Sequence, residues 1–271
     1  MYVAAVEVVR AKGLEIAYER VGEGPPLVLV HGAALDSRMW RPQLGVLADE
    51  FTVVAWDEPG AGRSSDVPAD FTVADYADCL AVLIVALDVG PAHVAGLSWG
   101  GTVALELYRA HPELVATLLL VDTYAGWKGS LPEAEVQARV EGARRMFEGP
   151  DDAFDPTLPG LFARDPAADF VPLLQAMAAD VRRESMRKAL GLMADTDQRD
   201  LLPRIAVPTL LLWGERDARS PLDVARRFED AVANAELVVI PGAGHMSNLE
   251  APDAFNDAVR EFCRDHPPRS A

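Results

Sequence analysis

A series of short, unbroken apolar runs, each closed by glycine or polar residues, limits what this chain can become. They fall at residues 26–30 (Pro-Leu-Val-Leu-Val), 51–56, 92–97, 115–121, 209–213 and 237–240, with helix-patterned stretches between them. A strand exposed on one face would alternate apolar with polar side chains. Continuous runs therefore predict a mostly parallel, twisted sheet covered by helices on both faces, an α/β architecture. Residues 6–9 and 14–20, with Lys12-Gly13 at the turn, add an opening antiparallel pair and bring the expected sheet to eight strands.

Between Trp127 and about Leu202 the rhythm changes. Strand-like runs disappear, prolines recur at 132, 150, 156, 159, 166 and 172, and helical amphipathicity takes over. Val136, Val140, Ala143 and Phe147 fall on one expected helix face, and Met186, Ala189, Leu190 and Met193 on another. The expected organisation is a core formed by residues 1–126 and 203–271, interrupted by a helical cap, or lid, at 127–202. A chain of 271 residues is long enough to bury one large core carrying such an insertion.

Net charge is −17 and no basic block stands out, which argues against nucleic-acid and membrane-surface partners. The first residues lack a basic start followed by a sustained apolar run, and no stretch approaches bilayer length, so a cytoplasmic location is expected. Cys79 and Cys263 make no metal or redox spacing and are expected to pack in the core. No metal or cofactor motif is present, and the oligomeric state is left open by the sequence.

The chemistry concentrates at Gly96-Leu97-Ser98-Trp99-Gly100, where an apolar run gives way to a helix. A serine between two glycines at a strand-to-helix turn can be held in a strained conformation with its hydroxyl exposed. A hydroxyl is a weak nucleophile at neutral pH and needs an adjacent base. Of the histidines, only His245 follows an expected strand in a glycine-flanked loop at the same rim of the sheet. His93 lies within a strand, His111 ends a helix before Pro112, and His266 is in the tail. A carboxylate must then hold the imidazole tautomer, and Asp217 after the 210–213 run is favoured over Asp122 and Glu215. Asp57 reads as a turn former.

Five motifs in order carry a resemblance: His31-Gly32-Ala33, Asp57-x-Pro59-Gly60-x-Gly62-x-Ser64, the serine turn, Trp213-Gly214-Glu215-Arg216-Asp217, and Gly242-Ala243-Gly244-His245. Together they resemble the α/β-hydrolase superfamily, and within it small esterases, enol-lactonases and cofactor-free haloperoxidases. The resemblance implies a Ser98–His245–Asp217 triad. It also implies an oxyanion hole from the backbone amides of Trp99 and Ala33, with Ala34 as the alternative to Ala33, and His31 ordering that loop beside the substrate.

Trp127, Met146, Phe147, Phe162 and Met177 are the cap candidates for reaching substrate, with His31 and Ala34 below them, and ordinary cap-to-core packing is the reading favoured for each cap residue taken singly. Arg139, Arg144 and Arg145 read as a solvated face, with steering of an acidic substrate as the alternative. The expected activity is cleavage of a small or medium carboxylic ester or lactone. Carbon–carbon bond hydrolysis, perhydrolysis, and a ligand receptor with a nearly idle triad are the other readings. The His31-Gly32-Ala33-Ala34-Leu35 loop departs from the one peptidases of this fold carry, and no aspartate replaces Ser98 as in dehalogenases.

Overall fold

The computed structural model describes residues 5–88, 90–148 and 160–268, and the side chains of residues 146–148 lie outside what it describes. The chain opens with β1 (Val6–Ala11) and β2 (Leu14–Val21), paired antiparallel in the register Ala11↔Leu14. Then follow β3 (Pro26–Val30), α1 (Arg41–Leu47), β4 (Thr52–Trp56), α2 (Val73–Leu87), β5 (Ala92–Leu97), α3 (Trp99–Ala110) and β6 (Val115–Val121). An inserted segment carries α4 (Trp127–Ser130), α5 (Glu133–Glu148), α6 (Val171–Ala179) and α7 (Arg183–Asp195). The chain ends with β7 (Thr209–Gly214), α8 (Leu222–Ala231), β8 (Ala235–Ile240), α9 (Ser247–Glu250) and α10 (Pro252–Asp265).

The eight strands form one sheet in the order β1-β2-β4-β3-β5-β6-β7-β8, with every pair from β4 onward parallel. Successive side chains of a strand point to opposite faces, and the apolar runs divide accordingly. Val28, Val54, Val94, Leu118, Leu120 and Leu211 join one core with α2, α3 and α8. Leu29, Ala55, Ala95, Leu119, Val121 and Leu212 join a second core with α1 and α10. Cys79 packs in the first core and Cys263 in the second.

The last strand departs from the expected doubly buried run. β8 begins at Ala235, pairs only with β7, and leaves Val239 36% exposed, because it closes the sheet as an edge. The inserted helices also differ in facing. Val140, expected inward on α5, is 44% exposed. The guanidinium of Arg139 takes the inward position instead, lying over the Trp127 ring at 5.3 Å and the Tyr124 ring at 5.6 Å. No helix among the described residues is long and apolar enough to cross a membrane.

Candidate active site

Ser98 stands between the end of β5 and the start of α3 with φ 54° and ψ −117°. A non-glycine residue there carries roughly 1–3 kcal/mol of strain, which its surroundings must hold in place. They do so by close approach. A Cβ at Gly96 would sit 2.6 Å from the Gly101 amide nitrogen, and one at Gly100 would sit 2.6 Å from the His31 carbonyl. The Ser98 amide donates to Val121 O at 2.9 Å, and the Thr123 hydroxyl donates to the Ser98 carbonyl at 2.5 Å. Trp99 opens α3, so its N–H has no acceptor within the helix.

Asp217 lies in the loop after β7. Its Oδ1 accepts from the amides of Arg219 at 2.7 Å and Ser220 at 2.9 Å, which leaves Oδ2 aimed at His245 Nδ1, 2.8 Å away. The imidazole is almost fully buried apart from its edge on the cavity. Because a carboxylate accepts, Nδ1 carries the proton and Nε2 keeps its lone pair. The Ser220 hydroxyl donates to Thr123 O at 2.7 Å, so one run of hydrogen bonds links the Ser98 backbone to the acid loop. The His245 loop is fastened to the insertion, with Met246 N donating to Leu161 O and Glu250 accepting from the amides of Gly244 and Ala163.

Asp122, the rival acid, does not reach the imidazole. Its oxygens accept from Gly214 N at 2.8 Å and from the Ser247 hydroxyl at 2.5 Å. Burial, and then the neighbouring Asp217 charge, raise its pKa well above the ordinary carboxylate value. Asp57 ties two loops together, accepting from Ser37 N and from Arg63.

Ser98 and His245 border one cavity of about 290 Å³, together with Gly32, Ala33, Leu35 and Tyr124. No hydrogen bond joins the serine hydroxyl to the imidazole among the described residues. Trp127 and Phe162 line this cavity as expected. Three other expected substrate contacts do not. His31 is fully buried: its Nδ1–H donates to Gly32 O at 2.9 Å and its Nε2 accepts from Glu58 N at 3.0 Å, so the ring braces two loops. Burial lowers its pKa and keeps it neutral near pH 7. Ala34, at φ 63°, turns into a separate narrow crevice, and Met177 packs between that crevice and the α6 side of the core. Met146 and Phe147 lie outside the described side chains.

The Trp99 indole is core, not cavity. It donates to Glu58 Oε2 at 2.7 Å, and burial raises the Glu58 pKa well above its usual value. The polar part of the cavity wall corrects one expectation and adds a residue: Arg139, read as part of a solvated face with substrate steering as the alternative, turns inward because its guanidinium covers two aromatic rings, and Arg219 was not singled out. Arg139 and Arg219 both border the cavity, as do Met186, Leu190 and Met193 of α7. The α7 residues share the helix face read from their spacing. Arg219 gave no such signal, being a loop residue beside the acid.

A sheet turn holding a serine, with a carboxylate-bound histidine from the far end of the chain at its side, agrees with the match of residues 25–252 to the α/β-hydrolase fold family. The chain belongs to that family. It is 34% identical over 257 residues to the dihydrolipoyllysine-residue acetyltransferase component of an acetoin-cleaving system from Pseudomonas putida, covering 92% of this chain and 66% of that one. It is 31% identical over 256 residues to a pimeloyl-[acyl-carrier protein] methyl ester esterase from Chromobacterium violaceum, covering 92% of this chain and 98% of the relative. Among solved structures it resembles the enol-lactonase from Burkholderia xenovorans, with a TM-score of 0.77, 28% identity, and coverage of 95% of this chain and 100% of that one. Membership of this family and the hydrolase names among its relatives support a hydrolytic function.

Proposed function

We propose that this hydrolase cleaves a small or medium carboxylic ester or lactone through Ser98, His245 and Asp217. The observation that carries the reading is the pairing of His245 Nδ1 with Asp217 Oδ2 at 2.8 Å, at the rim of the cavity that Ser98 also borders. In this reading Ser98 Oγ attacks the carbonyl carbon while His245 Nε2 takes its proton, and Asp217 stabilises the imidazolium that forms. The carbonyl oxygen becomes an oxyanion held by the N–H groups of Trp99 and Ala33, each contributing roughly a hundredfold or more in rate. The start of α3 adds a favourable partial positive charge there. The imidazolium returns its proton to the leaving alkoxide, which departs and leaves an acyl-serine. Water, deprotonated by His245, attacks the acyl carbon and releases the acid.

Ser98→Ala should abolish steady release of p-nitrophenol from short acyl esters, with near-UV circular dichroism showing the fold intact. Turnover of those esters by the folded variant would refute the proposal.

A further inference from the structure

Apart from the reacting groups, the cavity is lined by aliphatic side chains, the aromatic rings of Tyr124, Trp127 and Phe162, and two arginines. No Asp or Glu side chain borders it among the described residues, although the chain has 42 acidic residues against 25 Lys and Arg. The two cations are held differently. Arg139 is engaged on all sides: it donates to Tyr124 Oη at 2.9 Å, to Glu135 Oε1 at 2.6 Å and to the Arg219 carbonyl at 2.7 Å. Glu135 balances its charge. The Arg219 guanidinium makes no hydrogen bond or ion pair among the described residues, yet its side chain is partly buried at the cavity wall. The acids that act on it electrostatically are already committed, Asp217 to His245 and two amides, and Glu135 to Arg139.

Removing a guanidinium from water, even in part, without a partner for its donors is costly. Its planar donors match a carboxylate in bidentate fashion. Burial pulls its pKa down, and it stays charged because the starting value is so high. Asp217 and Glu135 offset the two guanidinium charges at a distance, so what Arg219 lacks is an acceptor in contact with its N–H donors.

Resting on the ester- or lactone-cleaving reading above, we infer that the substrate carries a second, non-scissile carboxylate, received in the cavity by Arg219 with Arg139 stacked beside it. The substrate class is then a half-ester of a dicarboxylic acid, or a lactone bearing a carboxylate, of a size that a cavity of about 290 Å³ holds.

The test compares p-nitrophenyl hemiglutarate with p-nitrophenyl valerate, which share a leaving group and chain length and differ in the terminal charge. The wild-type protein should favour the hemiglutarate in kcat/KM by about tenfold or more, and Arg219→Met should cut that preference about tenfold. Arg219→Lys should restore part of it, and added salt should narrow it. Neither substitution touches the backbone amide that caps Asp217.

Equal kcat/KM for the two esters in wild type, or a preference that survives in Arg219→Met, would overturn the inference. Calorimetric titration of Ser98→Ala with monomethyl glutarate separates this claim from catalysis. Saturable binding, weakened about tenfold by adding Arg219→Met, supports the anion site whatever the turnover. Absence of saturable binding, or inorganic phosphate binding as tightly as the half-ester, would refute it.

Discussion

Replacing Asp217 with asparagine tests the acid assignment sharply, because the surrounding amides dictate which way the new side chain must face. Oδ1 accepts from two backbone N–H groups, those of Arg219 and Ser220. Asparagine can satisfy both only with its carbonyl oxygen there, which turns its NH₂ toward His245 Nδ1. A donor at that place forces Nδ1 to accept, and the imidazole proton moves to Nε2, where the base must be free. The same exchange in serine proteases lowers kcat about 10⁴-fold, or roughly 5 kcal/mol of transition-state stabilisation.

Asp122→Asn provides the contrast. Burial and Asp217 already favour the neutral acid at that position. An amide there keeps the bond from Gly214 N and donates to the Ser247 hydroxyl, so kcat should stay within about tenfold of wild type, roughly 1.4 kcal/mol. The assay is p-nitrophenol release from a short acyl ester, followed from pH 5 to 9 for both variants. Asp217→Asn within tenfold of wild type, or Asp122→Asn falling by orders of magnitude, would refute the argument.

Two further outcomes concern stability. Trp99→Phe strands the buried Glu58 carboxyl without its indole donor and should cost about 2 kcal/mol in urea unfolding. That cost should shrink in a Glu58→Leu background, and strict additivity of the two changes would contradict the pairing. His93, buried against Thr117, has its pKa lowered by burial from 6.5 to about 4. Below pH 6.5 the unfolded chain takes up a proton that the native ring refuses. Stability from this site is therefore complete above pH 6.5 and falls as pH drops toward 4, by roughly 3 kcal/mol in all. His93→Gln should flatten the decline in urea midpoint between pH 7 and 4.5, and an unchanged decline would exclude this origin.

The sheet was legible in the sequence wherever a strand is covered on both faces, since burial there demands uninterrupted apolar runs such as 26–30 and 209–213. β8 was read two residues short because half of it faces solvent and carries Glu236. Ser98, Asp217 and His245 stood out because each follows a run with glycine punctuation.

The cavity wall was harder to read for physical reasons. Spacing on α5 marks apolar residues, while a long arginine covering an aromatic ring can occupy the inward face in their place, as Arg139 does. His31 sits in the correct loop, but adjacency in sequence does not say which way a ring points, and its ring points into the protein.

The insertion leaves the sheet after β6 and returns at β7, strands that are direct neighbours from Leu118↔Thr209 to Val121↔Leu212. Its two attachment points therefore sit side by side on the sheet. Ser98, Asp217 and His245 all come from outside the inserted stretch. A differently shaped roof spliced in at this doorway would re-line the cavity while leaving these three candidate residues standing on the same foundations.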